Sequence, residues 1–176
     1  MRVTSFAIIT AGTLLMVWVM QKTGAPLKTT VTPFGILNLE LASSESQVLA
    51  ILNTWDADKV DAAKLNTALD FIFLVFYSLF LFTACNTIAQ RFTGFVRQTG
   101  IALAYGALAA GMLDVVENIG MLVSLYGNTS DWISIITCLA AVIKWVLALA
   151  ALAFVLIMAI PYWMSKNNGP QHHRHP

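Results

Sequence analysis

Four apolar stretches, at about 3–20, 67–90, 100–126 and 132–163, decide what this 176-residue chain can fold into. Each is close to or beyond the roughly 20 residues that a helix needs to cross a bilayer core. A backbone in lipid must satisfy its own N–H and C=O groups, which leaves helices and closed barrels. Stretches this long are helical, because spanning strands are about half the length and alternate in polarity. The sequence therefore predicts an all-α protein: one integral membrane domain, a four-transmembrane-helix bundle. Composition agrees, since 11% of the residues are charged against about 25% in soluble domains. The formal net charge of +1 and the absence of a basic stripe give no footprint for nucleic acid. The expected partner is the lipid bilayer.

The first stretch, opening MRVTSFAIITAG, resembles a signal peptide in having Arg2 ahead of an apolar run. Val3 to Met20 is long enough to span, however, and the small residues around Thr23 and Ala25 make a poor cleavage site. It is read as the first span. Arg91 and Arg97 lie in the link after the second span, and Lys166 and Arg174 follow the fourth. The positive-inside rule then places both termini in the cytoplasm, with 21–66 and the GNTSD turn outside. Lys22, Lys28, Lys59 and Lys64 weaken this bias without reversing it. Trp132, Tyr162 and Trp163 fall near span ends, where amphipathic rings anchor.

The outer segment 21–66 has structure of its own. Gly24, Pro26, Pro33 and Gly35 break its first part. ILNLELA alternates, so Leu37, Leu39 and Leu41 are expected on one side of a short extended stretch. Ser44 with Gln47 forms a capping-box pattern, and Val48, Ile51, Leu52 and Trp55 make the apolar stripe of a short amphipathic helix. Asp56 or Asp58 then caps a helix that runs into the second span. The tail, about 166–176, holds all three histidines and is expected to be disordered.

Polar residues at membrane depth are costly and mark functional sites by default. GMLDVVENIG places Asp114, Glu117 and Asn118 on one helix face, at i, i+3 and i+4. Lys144 lies at a depth matched to Asp114, counted from the outer ends of two spans joined by a short turn, so it can reach Asp114 or Glu117. Asp70 is shallower, and Tyr77 sits two turns deeper on the same face. One reading is a structural ion pair made by Lys144, with Asn118 adding an interhelical hydrogen bond. That leaves two further carboxylates, which in low dielectric take up protons or hold a cation. The candidate ligand- or ion-binding residues are therefore Asp70, Tyr77, Asp114, Glu117 and Asn118, converging on a pocket open to the outer side. Glu40 is either solvated or, if the outer segment folds back, part of that pocket. Ala107 and Gly111 serve close helix packing. Cys85 and Cys138 fall in opposite leaflets, too far apart to bond. No CxxC spacing or intramembrane histidine offers a metal set, and no cofactor motif is evident.

The order of motifs resembles that of a type of small bacterial four-span membrane protein with no assigned activity. The matches are Glu40-Leu41-Ala42, Ile51-Leu52 with Trp55, Leu69-Asp70-Phe71 with Phe73 and Tyr77, and Asp114, Glu117 and Asn118. They cover about 37–125 and imply the same architecture in a bacterial inner (plasma) membrane, without adding chemistry. Three functions remain open. The acidic pocket could bind a cation, a proton or a small amine-bearing ligand from outside. The carboxylates could serve a membrane enzyme acting on a lipid. The chain could also be a non-catalytic accessory subunit with a membrane-protein partner, or a homo-oligomer.

Overall fold

The computed structural model describes residues 3–167, with side chains from 4 to 163. Arg2 and tail residues 168–176, and the expectations attached to them, lie outside the described residues. Six α-helices follow in order: α1 (Val3–Gly24), α2 (Ile36–Glu40), α3 (Glu45–Leu52), α4 (Ala57–Ala89), α5 (Gly94–Leu125) and α6 (Asp131–Asn167). Helices α1, α4, α5 and α6 are each long and apolar enough to cross a membrane. No strand occurs among the described residues. This is an all-helical bundle with the build of an integral membrane protein.

Local signals set the helix boundaries. Ser44 accepts the Gln47 N–H at 3.3 Å, and the Gln47 side chain reaches back to the Ser43 N–H at 2.8 Å, which starts α3. Asp56 caps α4 by accepting the Lys59 N–H, and the hydrogen-bonded Lys59 ammonium holds its carboxyl below the usual carboxylate range. That cap places the start of α4 at Ala57, ten residues before the apolar run begins.

The stretch ILNLELA is a correction. It forms α2 and not an extended segment. Five residues fit either period, and burial decides between them. Leu39 and Glu40 are both buried while Leu41 is 49% exposed, a pattern that alternation cannot produce. Gly35, with φ of 63°, turns the chain into this helix.

Helix α4 is central, with α1 on one side and α5 on the other, and α6 packs on α5 and α4. The close contacts run along the small-residue face of α5. Ala104, Ala107, Ala110 and Gly111 are buried, and a Cβ on Gly111 would lie 3.0 Å from the Ser78 Cβ. At Gly120 the space is tighter still, because a Cβ there would sit 2.0 Å from Thr137 Oγ1. Gly120→Ala should therefore cost about 1–3 kcal/mol by overpacking. Thr137→Ala removes the obstructing hydroxyl, which is buried and unpartnered. The double variant should be more stable than Gly120→Ala alone in thermal unfolding. Equal stability of the two would show that Thr137 is not the obstacle.

The 25–56 segment caps one end of the bundle. Leu27, Leu39, Val48 and Trp55 bury against Met121 and Leu125 of α5. Polar clips hold the cap in place. The Glu45 N–H donates to Asp131 Oδ1 at 2.8 Å, and Thr129 donates to Glu45 Oε1 at 2.7 Å. The Trp55 indole donates to Thr32 Oγ1 at 3.3 Å, and that hydroxyl donates onward to the Leu27 carbonyl. Away from the cap, Leu156, Ile157 and Ile160 of α6 are exposed, as lipid-facing residues are.

Candidate functional site

Depth along the helices brings the polar residues together. Asp70 lies 13 positions into α4 from Ala57, and Lys144 lies 13 into α6 from Asp131. Asp70 is thus not shallower than the others, because α4 begins well before its apolar run. Asp114 and Glu117 face these two residues from α5, and Glu40 descends from α2.

Lys144 is the hub. Its Nζ donates to Asp114 Oδ1 and to Glu117 Oε1, each at 2.7 Å, so it engages both acids of the DVVEN motif. Glu40 Oε2 lies 3.7 Å from the same ammonium and accepts the Trp145 indole N–H at 3.2 Å. Tyr77 donates to Asp114 Oδ2 at 2.8 Å. Asn118 Nδ2 donates to Asp70 Oδ2 at 2.9 Å, linking α5 to α4. The Phe73 ring packs against Tyr77 at a centroid distance of 5.3 Å. The six sequence-derived residues thus fall into two bonded groups, Lys144 with Asp114, Glu117 and Tyr77, and Asp70 with Asn118, the two meeting on α5 where Glu117 and Asn118 are neighbours in the chain.

The network is enclosed. Glu117 and Asn118 are fully buried, Asp114 is 2% exposed and Asp70 8%. The opening to the outer side expected from sequence is covered by α2 and α3. Between that cap and the cluster, a void bounded by Leu39, Met121 and Thr137 has no room for a water molecule. Larger clefts lie elsewhere, one of about 400 Å³ on the 25–56 segment and one of about 540 Å³ near the far ends of α4 and α6.

Two features bear on chemistry. Three carboxylates lie within 3.7 Å of one ammonium and a fourth, Asp70, bonds Asn118 beside them, an excess of three negative charges if all are ionised. Glu117 Oε2, Asn118 Oδ1 and Thr67 Oγ1 are buried without a hydrogen-bond partner. Leaving such an atom unsatisfied costs about 1–3 kcal/mol, and more for a charged group. Both an excess of buried negative charge and unpaired buried acceptors are costly in a low-dielectric core. Among the described residues no group of three or more His, Cys, Asp and Glu has a geometry suited to a metal ion. Cys85 and Cys138 are both free thiols.

Sequence reasoning missed Trp145 and Thr67, and left Glu40 open. A mid-span tryptophan carries an N–H that must find an acceptor, a signal that could have pointed to Trp145. Thr67 lies one turn before Asp70 on the same face of α4, which could have flagged it too. The chain matches no family model, no curated protein and no solved structure. The case for function therefore rests on the chemistry of the cluster.

Proposed function

We propose that the protein binds exchangeable positive charge, a proton or a small monovalent cation, in this buried acidic cluster. The charge enters from the outer side of a bacterial plasma membrane in which both termini are cytoplasmic. One observation carries the reading: in an enclosed core a single ammonium meets three carboxylates, a fourth, Asp70, is held only by Asn118, and acceptors there lack donors. Burial of uncompensated charge costs several kcal/mol per ion, so a cluster of this composition has to bind something cationic. Tight packing favours the smallest members of the ligand class over an amine-bearing molecule.

The roles divide by partner. Lys144 and Asp114 form the fixed ion pair, with Tyr77 holding the second Asp114 oxygen. Asp70 and Glu117 carry the exchangeable charge, and Asn118, next to Glu117 on α5 and with its amide oxygen free, ties Asp70 to that helix across the α4–α5 interface. Access requires the α2–α3 cap to lift, because it covers the cluster and contributes Glu40.

Trp145 is a built-in reporter, since its indole bonds Glu40 and its ring lies 5.6 Å from the Lys144 ammonium. In lipid nanodiscs, its emission, taken against Trp145→Phe, is expected to respond to acid or to sodium or potassium. Asp70→Asn and Glu117→Gln should each weaken that response at least tenfold while keeping helix content. A second reading, a non-catalytic accessory subunit, draws on the enclosure of the cluster. A parent protein that responds to none of these ions, or variants indistinguishable from it, would favour that reading and reject ours.

A further inference from the structure

At the end of the bundle opposite the cap, α1 and α6 flank α4 and leave a cleft of about 540 Å³ between them. That volume is typical of a site for a small ligand. One wall is the stacked pair Phe6 and Phe80, with ring centroids 5.8 Å apart, and the other is Ala159 and Trp163 of α6. The floor is not apolar. Thr83, Thr87 and Gln90 succeed one another down one face of α4, and Thr87 and Gln90 are exposed. At the mouth, Tyr162 lines the cleft and carries the Arg91 guanidinium over its ring at 5.9 Å.

We propose that this cleft binds one anionic glycerophospholipid, with its phosphate at Arg91 and an acyl chain between Phe80 and Ala159. The inference stands apart from the acidic cluster and from its proposed role. Hydrocarbon tails alone would be matched by an apolar floor. Thr87 and Gln90, exposed inside the cleft, call for acceptors below headgroup level, because unpaired polar groups in lipid are costly. The ester carbonyls of a glycerolipid lie at that level, one step below the phosphate. Basic pockets between spans are known to select anionic headgroups. Arg91 supplies the charge, and its planar guanidinium can take a phosphate through two N–H bonds.

Native mass spectrometry of the delipidated protein tests this, using phosphatidylglycerol and phosphatidylcholine with identical acyl chains. One phosphatidylglycerol should bind about fivefold more tightly than phosphatidylcholine, the equivalent of roughly 1 kcal/mol for one basic side chain at a membrane surface. Arg91→Gln should remove the preference, weakening phosphatidylglycerol more than phosphatidylcholine, whose phosphate is balanced by its own choline. Ala159→Phe, with Thr87→Phe as a second filler, should displace both lipids while circular dichroism shows the helices intact. Equal binding of the two lipids by the parent would overturn the proposal. So would variants that keep the parental preference and occupancy.

Discussion

Replacing Lys144 with methionine is expected to cost about 3–5 kcal/mol, the range for breaking a buried ion pair from one side. Methionine keeps the length and apolar volume of the lysine stem, so packing is nearly conserved. What disappears is the only ammonium among the described residues that pairs with Asp114, Glu117 and Glu40. Two carboxylate oxygens, each 2.7 Å from Nζ in the parent, then face one another without a donor. A loss of this size lowers the melting temperature of a chain this long by on the order of 10 °C. The sign of the pH dependence separates charge from packing. Acid neutralises the stranded carboxylates, so the deficit of Lys144→Met should shrink as pH falls. A packing defect would cost the same at every pH. Adding Asp114→Asn to Lys144→Met should recover part of the loss. A variant that melts with the parent would show that the lysine is dispensable.

Trp55→Ala should cost a similar amount, about 3–5 kcal/mol for truncating a buried aromatic, but with a local signature. Trp55 is 5% exposed and packs in the core that joins the cap to α5. Its indole also holds Thr32, which in turn binds the carbonyl of Leu27 in the short 3-10 turn that follows α1. Removing it unfastens α2 and α3 from the bundle end while leaving the contacts among α4, α5 and α6 in place. Amide exchange should therefore accelerate across 25–56 and stay slow in the long helices, the pattern of subglobal opening. Because the cap covers the cluster, the same variant should speed the response of Trp145 to added acid or cation. Exchange that is unchanged in the cap, or equally fast throughout, would contradict this division of the fold.

Much of this was legible in the chain because the membrane leaves few choices. Span length alone requires four helices, and Ser44 and Asp56 mark the starts of α3 and α4 with side chains that accept N–H groups there. Of the stripe Val48, Ile51, Leu52 and Trp55, all but the half-buried Leu52 are buried, although α3 ends at Leu52 and Trp55 reaches the core from the turn beyond it. The match in depth between Lys144 and Asp114 follows from a short turn and a fixed rise per residue. Features that depend on tertiary contact were less legible. ILNLELA suits a strand as well as a helix until Leu39 is given a core and Glu40 an ammonium. The position of Asp70 depends on a helix that starts in polar sequence, which hydropathy undercounts. Glu40 lies more than a hundred residues from the Lys144–Trp145 pair that receives it, and nothing local announces that meeting. The expected outward opening failed for the same reason, since only folding back of the 25–56 segment closes it.

The central claim is that the surplus carboxylates of the cluster are neutralised by exchangeable positive charge. Infrared spectroscopy of the protein in nanodiscs reads this directly, because a protonated carboxyl has a C=O stretch distinct from the bands of ionised carboxylates. With choline as the sole buffer cation at neutral pH, the account predicts a protonated-carboxyl band that shifts in D₂O. Asp70→Asn or Glu117→Gln should remove it or cut it by about half, and sodium or potassium should diminish it if the site also takes a metal cation. A parent spectrum without such a band in choline buffer, with the fold intact, would mean that all four acids are ionised beside one lysine. That result would contradict the account.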